Sequence, residues 1–161
     1  MLGQFPRLTS DASIDAVTFR QGDGYVSYIN GGGAQYADDK VLQHDGFGTV
    51  EIKNFFVNGY GKLYRSCGNC RKNGHARHVK MNNIYALNGK TLIGINVNYQ
   101  EDQGVEDTAE ISSSFYQSFG RQSEVCGCYS GTNNNNVESI KLDANDYPDL
   151  CKVKNVTKIN V

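Results

Sequence analysis

Three cations, Lys40, Lys62 and Arg65, are spaced in a way that invites chemistry, because the second and third follow the first at similar distances. Asp38 and Asp39 stand immediately before the first of them, in "DDKVLQHDG", and Asp15 lies upstream. Cations beside carboxylates suit the removal of a proton next to an acidic group. Taking C5–H from a uronic acid builds an enolate, which is tolerable only when the adjacent carboxylate is neutralised. Calcium, held by hard carboxylate oxygens, is one means of doing so. A lysine can be the base if neighbouring positive charge lowers its pKa, and such a reaction favours alkaline pH. The plain alternative is that these residues are scattered solubilising charges.

Whether they converge depends on the elements that carry them. Three segments align without gaps and start at nearly equal intervals: "TVEIKNFFV" from Thr49, "HVKMNNIYA" from His78 and "TAEISSSFY" from Thr108. A looser copy, "YVSYINGGG", begins at Tyr25. A second strand follows each copy: "KVLQHDG" from Lys40, "KLYRSCG" from Lys62, "TLIGINVN" from Thr91 and "SEVCGCY" from Ser123. Short strands recurring at a steady period, separated by Gly and Asn, describe the coils of a parallel β-solenoid. A β-sandwich with accidental self-similarity is the competing architecture. In a solenoid, outward side chains of successive coils stack about 4.8 Å apart, so Lys40, Lys62 and Arg65 meet on one face. Long shallow faces of this kind suit an extended polymer.

Composition agrees with an all-β chain. Of 161 residues 18 are Gly, two are Pro and none is Trp, and Val, Ile, Thr and Tyr alternate with turn formers. The length fits a single domain over residues 1–161. A net charge of −1 offers no basic field for nucleic acid, and no apolar run reaches the roughly 18 residues of a membrane span. The opening "MLGQFPRLTS" lacks the apolar core of a secretory signal. A removed signal, an intracellular chain and a missing N-terminal segment all fit that start. Five cysteines, Cys67, Cys70, Cys126, Cys128 and Cys151, allow two disulfides and one thiol. Together with the sequon Asn155-Val156-Thr157 they favour secretion.

The stretches "DKVLQHDGFGTVEIKNFFV", "GKLYRSCGNC", "LIGINVNY" and "DTAEI", in this order, resemble the family-three pectate lyases. "DAVTF" from Asp15 and "NGGGA" resemble the preceding coil of that family, so the likeness runs from about Asp15 to Cys128. The resemblance implies a secreted, right-handed parallel β-helix that cleaves polygalacturonate by calcium-assisted β-elimination, and a monomer is expected. By position it implies that Lys40 is the general base, that Lys62 and Arg65 bind substrate carboxylates, and that Arg65 also assists charge stabilisation. Asp39 would shape the metal and base site, and Asp15 would be the second acid of a calcium-binding pair. The pattern departs in three places. Ile14 stands where the family has a calcium-binding acid, Ser13 stands where it has a cysteine, and "QEDQGVE" lies between Tyr99 and Asp107. Either the metal site is weakened, or Asp11 or Asp38 substitutes. A second function follows from the first case: a wall-polymer binding module that keeps the β-helix without the activity. A shortened N-terminal part would also leave coil edges uncapped.

Other signals have quieter readings. Cys67, Cys70, His75 and His78 could suggest zinc, but structural cysteines, paired with Cys126 or Cys128, are the preferred expectation. Asn54, Asn83 and Ser113 fit an inward ladder at the turns. Tyr60, Tyr64 and Tyr99 could stack on sugar rings or be ordinary strand tyrosines. His44 reads as a satisfied core or turn histidine, and Asn133–Asn136 as a polar loop.

Overall fold

The computed structural model describes residues 7–9, 17–118 and 123–160. Ten strands follow in order: β1 (Arg7–Thr9), β2 (Val17–Phe19), β3 (Val26–Asn30), β4 (Gly33–His44), β5 (Gly48–Ser66), β6 (Arg77–Tyr99), β7 (Thr108–Ser118), β8 (Glu124–Gly131), β9 (Ile140–Leu142) and β10 (Cys151–Ile159). They form a right-handed parallel β-helix, with β4, β5, β6, β7 and β10 side by side in that order. Only β8 with β9 is antiparallel among the pairings of the described residues.

The repeat read from sequence is the pairing register. Thr49 lies opposite His78, and His78 opposite Thr108. The copy at Tyr25 is one residue out of phase, because Val26 and not Tyr25 lies opposite Thr49. Likewise Glu124, not Ser123, lies opposite Thr91.

The strands of 19 and 23 residues are coils bent at corners. One corner column is Gly31 (φ 85°), Asn54 (56°), Asn83 (54°), Ser113 (49°) and Asn155 (53°). These residues hold the left-handed conformation that L-residues other than Gly and Asn avoid. The asparagines also bond along the axis: Asn54 Nδ2 donates to Asn30 Oδ1 at 2.8 Å and Asn83 Nδ2 to Asn54 Oδ1 at 2.7 Å. The ladder exists, but it faces solvent rather than inward. A side chain at a left-handed corner points away from the coil interior that its neighbours fill.

Between corners the strands alternate, and the inward residues stack into columns. Val50, Val79 and Ala109 form one; Ile52, Met81 and Ile111 form another, and all six are buried. Each buried Val, Ile or Met contributes about 1.5–3 kcal/mol relative to exposure. No single coil can enclose these groups, so the columns exist only because coils stack.

Candidate active site

In-register pairing of β4, β5, β6 and β8 creates the groove. Lys40 lies opposite Lys62, Lys62 opposite Thr91, and Thr91 opposite Glu124. Further along the same strands, Gln43 lies opposite Arg65, and Arg65 opposite Gly94. The step from Lys40 to Lys62 is therefore one coil. A bulge separates Ala37 from Lys40, where β4 takes one residue more than β5. In a regular strand Asp39 and Lys40 would point to opposite faces. The extra residue re-aims them, so both line one cavity and the Asp39 carboxylate accepts from Lys40 Nζ.

Lys62 carries a pKa below the usual lysine range. Burial is the main cause, and the charges of Arg65, Lys40 and Lys141 push the same way against Asp39. Arg65 is buried and clamped. Its guanidinium donates to Ser66 O (2.7 Å), Asn96 Oδ1 (3.0 Å) and Ser139 Oγ (2.7 Å), and it lies 4.0 Å over the Tyr129 ring. Glycines make the bed for it. A Cβ on Gly94 would stand 2.8 Å from Arg65 Cδ, and one on Gly68 2.5 Å from Nη2.

A cavity of about 300 Å³ is lined by Asp39, Lys40, Gln43, Lys62, Arg65, Gly68, Asn69, Tyr129, Glu138 and Ser139. Another, of about 820 Å³, shares Asp39, Lys62 and Tyr129 and adds Asp38, Gly61, Lys90, Thr91, Ser123, Glu124 and Lys141. Through these shared residues the two form one groove with basic side chains along it.

The pectate lyase family model matches residues 9–136. The chain belongs to the pectate lyase family. It is 45% identical over 132 residues to probable pectate lyase E of Aspergillus clavatus, covering 81% of this chain and 47% of the relative. To pectate lyase H of Emericella nidulans it is 47% identical over 124 residues, covering 77% and 44%. Pectate lyase PelI of Erwinia chrysanthemi, solved in complex with tetragalacturonic acid, superposes with a TM-score of 0.71 at 30% identity, covering 90% of this chain and 48% of that one. The chain thus spans about half the length of the curated relatives it matches.

Of the site residues expected from sequence, the structure brings Lys40, Lys62, Arg65 and Asp39 together. Asp15 lies outside the described residues, as do Asp11, Ser13 and Ile14. At the groove the donors that suit calcium are carboxylates: Asp39, half exposed and paired with Lys40, with Asp38, Glu124 and Glu138 also lining it, and such hard oxygens fit that ion. The metal-ligand cluster found among the described residues, Asp45 with Cys67 and Cys70, has both sulfurs in a disulfide and is no calcium site.

Sequence reasoning missed Gln43, Tyr129, Glu138 and Ser139. Gln43 was within reach, since it stands one coil before Arg65 just as Lys40 stands one coil before Lys62. Ser139 reaches Arg65 from 74 positions away, and no period announces it.

Of the remaining expectations, those for the tyrosines and the cysteine pairing are corrected, and that for His44 holds. Tyr60, Tyr64 and Tyr99 are buried and cannot stack on a sugar, whereas Tyr129 lines the groove. Cys67 pairs with Cys70 and Cys126 with Cys151, not Cys67 or Cys70 with Cys126 or Cys128, and Cys128 is a buried thiol. His75 and His78 are committed elsewhere, to Asp23 and Thr108, so no zinc set forms. His44 is a core histidine, 2.7 Å from Tyr64 Oη.

Proposed function

We propose that the chain is the catalytic part of a secreted, monomeric pectate lyase that cleaves polygalacturonate, the de-esterified backbone of pectin, by β-elimination. Support comes from one arrangement above all: Lys40 and Lys62 in register on adjacent coils, with clamped Arg65 on the same groove, in a chain of this family. Lys40, as the neutral amine, takes the C5 proton of a galacturonate. The C5–H electron pair becomes the C4=C5 double bond, and the C4–O bond to the leaving sugar breaks, its electron pair staying on that oxygen, which takes a proton from water. Lys62 and Arg65 bind the uronate carboxylate, so that negative charge spreading from C5 meets fixed cations. The Arg65 clamp removes the reorganisation that a mobile side chain would need. Calcium, which Asp39 and Asp15 would hold, supplies further neutralisation of that carboxylate when bound.

The polymer partner follows from the same charges, and no helix among the described residues is long and apolar enough to cross a membrane. The test is release of unsaturated uronide from polygalacturonate with calcium at alkaline pH, followed by ultraviolet absorbance. Wild type should release it, and Lys40→Ala should lose at least about 100-fold in rate with an unchanged melting temperature. Full activity in Lys40→Ala removes Lys40 as the base. A folded wild type that binds polygalacturonate without releasing product is a wall-polymer binding module instead.

A further inference from the structure

Lys141 takes no part in that elimination, yet the fold brings it to the groove by a route of its own. It lies on β9, the antiparallel strand, opposite Tyr129, and it lines the larger cavity with Lys62, Lys90 and Thr91. Its Nζ donates to Glu124 Oε1 at 2.7 Å, and Thr91 Oγ1 donates to the same oxygen at 3.0 Å. The carboxylate is held from the sheet and in turn holds the ammonium. Thr91 stands one coil beyond Lys62, and Glu124 stands opposite Thr91 on the next. This anchor is therefore roughly 10 Å along the sheet from Lys62.

An exposed ion pair adds little to stability, so the fold gives no reason for this one. The Lys141 side chain is 58% exposed, which leaves its ammonium open to a ligand. An ammonium carries three N–H donors, and Glu124 takes one. The bond to Glu124 also raises the Lys141 pKa, so the cation persists at the alkaline pH that suits a lysine base. The charge of Lys141 acts on Lys62, which puts the two within one electrostatic field. We propose that Lys141 binds a second uronate carboxylate of the same polymer chain, on a sugar beyond the one that Lys62 and Arg65 hold. This inference rests on the pectate reading and extends it: the groove recognises a run of free carboxylates and disfavours chains methyl-esterified at that further sugar.

The test uses calorimetry with tetragalacturonate, and KM and kcat on polygalacturonate, for wild type, Lys141→Gln and Lys141→Arg. At low salt Lys141→Gln should bind tetragalacturonate about tenfold more weakly, in the range of one charge-assisted hydrogen bond. KM should rise by a similar factor while kcat holds, because the contact is the same in ground and transition states. Lys141→Arg should restore most of the affinity. The difference should shrink at about 1 M salt, where an exposed charge contact is screened. Melting temperatures should match, since the variant gives up only an exposed pair. Unchanged affinity in Lys141→Gln overturns the proposal, as does a loss that is equally large at high salt or that falls on kcat alone. If wild type binds tetragalacturonate but eliminates nothing, the lyase reading falls and calorimetry alone decides: weaker binding by Lys141→Gln supports the role, and equal binding overturns it. If wild type binds no tetragalacturonate, both readings fall.

Discussion

Replacing Asp107 by Asn should unsettle the fold from behind the groove. Asp107 is fully buried. Its Oδ2 accepts from Ser66 Oγ (2.6 Å), Tyr99 Oη (2.9 Å), Asn96 N (3.1 Å) and Asn96 Nδ2 (3.3 Å), and its Oδ1 from Arg77 N (2.9 Å). Every neighbour is a donor, so an amide must turn its own N–H groups against one of them. Arg77, also fully buried, donates to Tyr99 Oη at 2.8 Å, and that hydroxyl in turn donates a hydrogen bond to Asp107. The relay thus couples a buried cation to the carboxylate. Losing a charge-assisted hydrogen bond costs about 1.5–3 kcal/mol and stranding a buried donor about 1–3. The sum, about 2.5–6 kcal/mol, brackets the roughly 3–5 kcal/mol that breaking a buried ion pair costs. Total stabilities are about 5–15 kcal/mol, so urea denaturation will show a large fall in midpoint. Asn96 also holds Arg65 through Oδ1 at 3.0 Å, so elimination by the folded fraction should fall as well. A loss below about 1 kcal/mol would mean that the five donors do not require a carboxylate there.

His44 gives a pH signature. Burial lowers its pKa from 6.5 to about 4, so below pH 6.5 the unfolded chain takes up a proton that the native state resists. Stability contributed by the neutral ring is complete above 6.5, falls between 6.5 and about 4, and then levels off, a change of about 3 kcal/mol. Urea titrations at both ends should show a smaller difference in His44→Gln than in wild type. Asn83→Ala should lower stability by about 1–2 kcal/mol, since alanine is strained at φ 54°, and Asn83→Gly should lose less in the same measurement. Loop entropy separates the disulfides. Cys126–Cys151 spans 25 positions and Cys67–Cys70 three, so Cys126→Ser should cost about 3 kcal/mol and Cys70→Ser about half that, read as melting temperatures.

Lys40 and Lys62 could be placed from sequence because parallel stacking turns a separation in the chain into adjacency in space, and the step between them is one coil. The second strands, "KVLQHDG" from Lys40 and "KLYRSCG" from Lys62, supplied that register without any structure. The tyrosines could not be placed in this way. Each left-handed corner resets the alternation of inward and outward residues, and Tyr60 follows immediately after Gly59 (φ 71°), so counting from the previous strand gives the wrong face. The bulge that aims Asp39 and Lys40 together has no signature beyond an extra residue. Cysteine pairing depends on which coils cross at β8 and β10, and spacing does not encode it. The cover over Arg65 comes from Tyr129 and Ser139, beyond the last clear repeat.

That cover has a consequence for biosynthesis. Coils of this kind accrete in order as the chain emerges, so Lys40 and Lys62 come into line once β4 and β5 have docked. Arg65 then waits. Its third hydrogen bond needs Ser139, and its stacking partner needs β8, both supplied by the later part of the chain. A nascent or C-terminally truncated chain would present the lysines on a formed sheet while the guanidinium, held by Ser66 and Asn96 alone, stayed uncovered. Under the proposed function, catalytic competence would come late, once Tyr129 and Ser139 have covered Arg65.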